Sequence, residues 1–186
     1  MPRLKCRWLP AALLLLCLCE SAAAALDIGD AAPRFTAQAA FDGKVFRYSL
    51  ADALAKGPVV LYFFPAAFSV DCSIEAHAFA ASMDKFTALG ATVIGVSGDD
   101  IGTLSKFSQQ ACQSRFPVAS DASQSIMKSF DATMQTRPDY ANRISYLITP
   151  DDKVASFYLS LSPEWHVKRM LDALGQLPGL PGTTKP

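Results

Sequence analysis

The residues with chemistry to offer gather in one short stretch, Tyr62 to Glu75, YFFPAAFSVDCSIE. An apolar, β-branched run from Pro58 to Phe64 reads as a buried strand that stops at Pro65, and a helical pattern begins near Cys72. Cys72 thus stands where a strand hands over to a helix. The unpaired N–H groups and dipole of a helix start favour an anion, and the thiolate is the nucleophilic form of cysteine, so the position suits an activated sulfur. Ser69 places a hydroxyl within a turn or tight loop of that sulfur, able to donate to it or to a bound oxygen. The backbone N–H groups of Asp71 and Cys72 are further donors at a helix start. Pro65 has no reacting group; its ring removes a donor and narrows the loop, so its role is shape.

The flanking sequence supplies the elements that must hold this stretch. Phe35 to Tyr48 contains two extended runs split by Asp42-Gly43, a hairpin signal, and Ser49 to Ala55 is a short helical turn ending at Lys56-Gly57. The helix carrying Cys72 runs to Leu89, with Ile74, Phe79, Met83, Phe86 and Leu89 at helical spacing, and Gly90 closes it. Ala91 to Val96 is a second buried strand. The loop Ser97-Gly98-Asp99-Asp100 leads into a helix from Ile101 with Leu104, Phe107 and Ala111 inward and Cys112 at its shoulder, partly exposed. Phe116 to Val118 reads as a short strand, and Ser123 to Met134 as a serine-capped helix. Arg143 to Thr149 and Val154 to Leu161 form a hairpin around Pro150-Asp151-Asp152, and Pro163 to Leu174 is the last helix. Strand, helix, strand, helix implies a parallel pair, and the later hairpin makes the sheet mixed, with helices on both faces.

Composition narrows the function classes. Half of the 186 residues are hydrophobic, enough for one domain with a proper core, and 17 basic residues balance 17 acidic ones. No basic surface announces nucleic acid, which leaves small molecules or other proteins as partners. Residues 1–25 stand apart: Arg3, Lys5 and Arg7 precede an apolar run from Trp8 to Cys19, and Ala22 to Ala25 offer small residues for cleavage. This predicts a signal peptide, export across the inner membrane to the periplasm, and no membrane attachment afterwards; an uncleaved anchor is the alternative, against which the shortness of the run and Glu20 argue. Leu16 and Leu18 are too large for a lipidation motif at Cys17 or Cys19. Cleavage leaves residues 26–177 as the domain, slightly acidic, and 178–186 as a proline- and glycine-rich tail expected to be disordered.

Cleavage also removes Cys6, Cys17 and Cys19, so Cys72 and Cys112 alone remain, in a compartment where disulfides persist. Two such thiols make a redox pair, a disulfide that staples the fold, or two unrelated buried thiols. Metal and cofactor chemistry finds no support. There is no C-x-x-C, no C-x-x-x-C with a distant histidine and no glycine-rich phosphate loop.

The spacing Pro65-x-x-x-Ser69-x-x-Cys72 resembles the P-x-x-x-[T/S]-x-x-C motif of the peroxiredoxins, thiol peroxidases of the thioredoxin-like superfamily. Further stretches follow in that family's order: LYFFP, C-x-x-E through Glu75, LGATVIGVSGD, FPVASD and RISYLITPDDKV. The likeness runs from about Gly29 to Leu174 and is strongest to the bacterioferritin-comigratory, or PrxQ-like, branch. It implies a thioredoxin-like α/β fold and reduction of hydrogen peroxide or small organic hydroperoxides, with Cys72 as nucleophile. It puts the family's active-site arginine at Arg143, whose fixed charge would hold the sulfur ionised and stabilise the departing oxygen; a surface arginine at a strand end is the plain alternative. Glu75 matches an acidic position and either orients Arg143 or is a solvated helix-face glutamate.

Departures matter as well. Serine at 69 replaces the commoner threonine, keeping the hydroxyl and losing the methyl that fixes its rotamer. Asp71 opposes thiolate formation unless it points to solvent. His77 stands where many of the branch carry a second cysteine, which leaves Cys112 as resolving thiol through an intramolecular disulfide, or resolution by an external thiol. Bridged Cα atoms lie within about 7 Å, so the pair demands local unwinding. A thioredoxin-like protein or small thiol is the implied reductant, and the chain would be a monomer or homodimer. His166 reads as a surface histidine, while Trp165, Phe68 and Tyr146 either line the pocket or belong to the core. A redox-sensing or binding module with little turnover is the competing function.

Overall fold

The computed structural model describes residues 25–179. Seven strands form one mixed sheet: β1 (Thr36–Phe41), β2 (Lys44–Ser49), β3 (Val59–Phe63), β4 (Thr92–Ser97), β5 (Val118–Ser120), β6 (Ile144–Thr149) and β7 (Lys153–Leu159), in the order β2-β1-β5-β4-β3-β6-β7. The pairs β3–β4 and β4–β5 are parallel, and the remaining neighbours are antiparallel. The helices are α1 (Leu50–Leu54), α2 (Val70–Ala88), α3 (Ile101–Gln110), α4 (Ser125–Ser129) and α5 (Glu164–Leu174).

Strand β3 shows how the sequence divides the core. Every residue from Val59 to Phe63 is buried, and successive side chains must point to opposite faces. Val60, Tyr62 and Phe64 accordingly join α2, α3 and α5 in one cluster, while Val59, Leu61 and Phe63 join α1 and α4 in the other. Both cysteines lie in the first cluster. The expected mixed sheet with helices on both faces is therefore present, as is the N-terminal hairpin, whose Asp42 and Gly43 both take the positive φ that such a two-residue turn requires. The hairpin tip docks on α3: Gly43, at φ +73°, lies against the end of the Gln109 side chain, and it is the left-handed backbone that calls for glycine there. Ser105 Oγ donates to Gly43 O and Gly43 N donates to Ser108 Oγ.

Several elements differ from their sequence reading. Helix α2 begins at Val70, and its buried stripe is Cys72, Ala76, Phe79, Met83 and Phe86, spaced four, three, four and three; Ile74 falls outside that stripe and is exposed. The short strand lies two residues further on than Phe116 to Val118. The helix expected over Ser123 to Met134 is only α4. The Asp121 carboxylate, rather than a serine, accepts from the N–H groups of Ile126 and Met127. After Phe130 the chain turns through Asp131 at positive φ, and Ala132 N returns to Met127 O, so Thr133 can bridge to Ala141 instead of extending the helix.

Cys112 is not at a helix shoulder. It directly follows the C-cap of α3, its N–H bonded to Phe107 O, and is fully buried, not partly exposed, in the core cluster that also holds Phe116. The segment expected to be a signal peptide, all but its last residue, and the expected tail, all but its first two residues, lie outside the described residues. No helix among the described residues is long and apolar enough to cross a membrane.

Candidate active site

The site is assembled by the register of three strands. Parallel pairing of β3 with β4 sets Phe63 beside Val96, and antiparallel pairing with β6 sets it beside Ile144, so β4, β6 and the β3–α2 loop converge at one end of the sheet. Beyond Phe63 the chain bends at Pro65 and passes Phe68 at positive φ before α2 begins. A bulky side chain in the left-handed region is strained, and this one is held by an edge-on contact with Phe107 of α3 at 5.3 Å. Asp99, after β4, pins the same loop: its Oδ2 accepts from Ala67 N at 2.7 Å and from Ser97 Oγ at 2.8 Å.

Ser69 is the N-cap residue of α2, so Cys72 is the third helical residue and its N–H is among those that no helix carbonyl can reach. Its side chain is only 1% exposed. Arg143 Nη2 donates to Cys72 Sγ at 3.4 Å, and Arg143 Nη1 forms an ion pair with Glu75 Oε2. Burial by itself would lower the arginine's affinity for its proton, but Glu75 and Cys72 outweigh it and the guanidinium is held charged. Burial pushes the Glu75 carboxyl up to about 8, with Arg143 holding it back from rising further. Of the two readings of Glu75, the structure selects the one that orients Arg143.

The other expected residues divide. Asp71 points to solvent, which removes the objection that it would oppose the thiolate. His77 is exposed. Pro65 is partly covered and shapes the loop. The Ser69 hydroxyl donates to Ala66 O at 3.0 Å, within its own loop, and not to the sulfur; the donor on Sγ is Arg143. Cys112 shares a core cluster with Cys72, but burial pushes its thiol well up, which keeps it protonated where it stands. Phe68 flanks the loop at the surface. Trp165 is exposed, and Tyr146 faces the opposite core, its hydroxyl donating to Phe130 O at 2.8 Å.

One residue was misread entirely. His166 is not a surface histidine: it is fully buried on α5, with Nδ1 at 2.8 Å from Ser145 Oγ and 3.5 Å from Glu75 Oε1, and Nε2 at 3.0 Å from Ser160 O. Burial pushes it down to about 4, against the pull of the Ser160 carbonyl, so the ring is neutral. Nothing local in PEWHVKRML announces this, since the burial comes from β6, β7 and α2 packing around the ring. The only usable signal is periodic: His166 lies four residues before Met170 and eight before Leu174, on the apolar stripe of α5.

The arrangement can hold a sulfur anion, with a fixed positive charge and the N–H groups of a helix start beside it. Among the described residues no group of three His, Cys, Asp or Glu side chains is placed to hold a metal ion.

Known proteins resemble this chain in sequence and fold. The AhpC/TSA family model matches residues 28–157. Peroxiredoxin Q of Populus jackii chloroplasts is 32% identical over 155 residues, spanning 83% of this chain and 70% of that protein. A chloroplastic 2-Cys peroxiredoxin of Hordeum vulgare is 33% identical over 109 residues, 55% of this chain and 52% of the relative, so the match spans about half of that protein's length. Among solved structures, peroxidoxin BcpB from Mycobacterium tuberculosis superposes with a TM-score of 0.73 at 26% identity, covering 80% of this chain and 96% of that one. The expected thioredoxin-like fold is borne out by these structural neighbours.

Proposed function

The chain belongs to the AhpC/TSA family, as a peroxiredoxin of the PrxQ-like branch, and from that premise we propose that it is a thiol peroxidase reducing hydrogen peroxide or small organic hydroperoxides. The observation that carries the reading is the buried Arg143 guanidinium donating to the buried Cys72 Sγ at a helix start. There the thiolate attacks one peroxide oxygen, a new S–O bond forms, the O–O bond breaks, and the other oxygen leaves as alkoxide or hydroxide and takes up a proton. Arg143 and the N–H groups of the first helical turn stabilise the charge that moves from sulfur to oxygen. Burial of Cys72 favours small acceptors.

Cys112 then attacks the Cys72 sulfenic acid, giving a disulfide and water, and a thioredoxin-like dithiol or a small thiol reduces the disulfide. The turn around Cys112 supports such a movement. Gln113 and Ser114 both sit at positive φ, at about 1–2 kcal/mol each for residues with a Cβ, which opening would relieve, while Ser114 N to Ser108 O, Ser114 Oγ to Asp42, Arg115 to Asp84 and the burial of Cys112 hold the turn closed. The N-terminal sequence supports export to the periplasm, and a monomer or homodimer fits the reading.

The test is intact mass of reduced protein after one equivalent of hydrogen peroxide, beside Cys72→Ser and Cys112→Ser. Loss of two hydrogens in the wild type, a retained oxygen in Cys112→Ser and no change in Cys72→Ser are expected. An unreacted wild type would sink the peroxidase. One observation favours a second reading, a redox-sensing module with slow turnover: Cys112 is fully buried and strongly held as a thiol. Persistent oxygen on wild-type Cys72, with no catalytic consumption of peroxide by any dithiol, is that reading's signature.

A further inference from the structure

Glu75 has one oxygen that its service to Arg143 leaves unexplained. Oε1 is buried without a hydrogen-bond partner among the described residues and faces His166 Nδ1 at 3.5 Å. The histidine's protonation pattern follows from its neighbours. Nε2 lies 3.0 Å from the Ser160 carbonyl oxygen, which only accepts, so Nε2 carries the hydrogen and the neutral ring presents a lone pair at Nδ1. Ser145 Oγ donates to that lone pair at 2.8 Å from one side. A carboxylate oxygen facing the same nitrogen is repelled; a carboxylic acid O–H facing it is a donor, which shares the single lone pair with the Ser145 hydroxyl or takes it as that hydroxyl rotates away.

Charge balance gives the pair a purpose. The groups packed around it are Cys72 on α2, Arg143 just before β6, Tyr62 on β3 with an unpartnered buried hydroxyl, and Tyr158 on β7, whose ring stands 4.9 Å from the imidazole and has the Arg169 guanidinium 5.5 Å from its centroid. Arg143 supplies one positive charge to the buried centre. With Glu75 ionised and Cys72 a thiol, the centre is neutral. Ionising both acids leaves a net negative charge out of contact with water, which is costly.

We propose that Glu75 and His166 hold a proton behind Arg143, taking it up as Cys72 becomes a thiolate and giving it back as the sulfur is oxidised. The balance is complete: Cys72–SH and Glu75–COO⁻ become Cys72–S⁻ and Glu75–COOH hydrogen-bonded to His166 Nδ1. On reaction with a hydroperoxide these yield Cys72–SOH, the alcohol or water, and Glu75–COO⁻. The released proton is the one the departing oxygen requires. His166 touches neither sulfur nor peroxide; it is a positioning residue acting through Glu75.

The inference rests on Cys72 being the reacting thiol, but its test reads the reduced protein before any peroxide is added, so the two can fail separately. Infrared spectra of the full chain, taken at a pH where ultraviolet absorbance reports the thiolate, are expected to contain a protonated-carboxyl stretch that is missing from Glu75→Gln. In His166→Phe the band moves to the position of an acid without a hydrogen-bond partner, and in His166→Asn, whose Oδ1 can take the place of Nδ1, it returns. The peroxide rate constant follows the same pattern, falling about tenfold in His166→Phe with an altered pH profile and recovering in His166→Asn. A thiolate signal with no protonated-carboxyl band in the wild type overturns the proposal without recourse to any variant, and so does an unchanged band in a folded His166→Phe.

Discussion

The Arg143 guanidinium donates to the Cys72 sulfur across 71 positions of sequence, and strand register is what brings the two together. Phe63 pairs with Ile144, so Arg143 stands level with the residue at which β3 gives way to the cysteine loop. Because Nη1 holds Glu75 while Nη2 reaches Sγ, the fork geometry of the guanidinium is used at both prongs. A lysine, with one compact charge, cannot serve both partners. Arg143→Lys is therefore expected to slow the reaction with peroxide by about 100-fold or more, the usual cost of losing one preorganised donor at a reacting centre. Stopped-flow measurement of the second-order rate constant checks this; a loss of less than threefold or so would remove Arg143 from the mechanism.

Asp99 tests whether the loop must be held. Its carboxylate ties Ala67 N and Ser97 Oγ together, fixing the segment between Pro65 and α2 from the end of β4. Asp99→Ala leaves a partly buried N–H without its acceptor and is expected to cost about 1–3 kcal/mol of stability. Amide hydrogen exchange should accelerate at Ala67 more than in β3. Equal exchange at Ala67 in variant and wild type would mean that the loop is held by Phe68 and Phe107 alone.

The turn after α3 makes a prediction of opposite sign. Gln113→Gly removes the Cβ penalty of a left-handed residue, a gain of about 1–2 kcal/mol, against a glycine entropy cost of about 0.5–1 kcal/mol. The variant should be slightly more stable, and because opening of this turn frees Cys112, formation of the Cys72–Cys112 disulfide should slow several-fold. Intact mass sampled through time after peroxide addition follows it. A variant that is stabilised yet forms the disulfide at the wild-type rate would place the opening elsewhere.

Local signals wrote much of this fold into the sequence. Asp42-Gly43 announced its hairpin because only a few residues tolerate the turn, and the run Val59 to Phe63 announced a strand buried on both faces. Cys72 was legible because its chemistry depends on its own helix start. His166 was not, because its burial arises from Ser145, Ser160 and Glu75, residues on three other segments that meet only in the folded chain. Cys112 was misplaced for a related reason: helix periodicity carries no information about a turn that folds back under Phe116 once the helix has ended. The Ser69 hydroxyl was read from spacing alone, which cannot tell that Ala66 O lies closer at hand.

In Cys72→Ser, where no thiol can lend Glu75 its proton, Glu75 and His166 together predict how stability depends on pH. Burial raises the Glu75 value from 4.5 to about 8, so between those values the folded protein holds a proton that the unfolded chain has lost, and the stability this confers falls as pH rises through the window. Burial lowers His166 from 6.5 to about 4, so there the unfolded chain holds the extra proton and stability rises with pH. From pH 4.5 to 6.5 the two slopes oppose and Cys72→Ser should be nearly flat. From 6.5 to 8 Glu75 acts alone and stability declines, by at most about 1.4 kcal/mol per pH unit for one proton. Adding Glu75→Gln to Cys72→Ser removes that decline and leaves the histidine's rise below 6.5 uncompensated. Urea midpoints measured across pH 4 to 8.5 for both proteins decide the matter, and curves that run parallel from 6.5 to 8 would show that Glu75 is ionised in the fold and that Arg143, not burial, governs its proton.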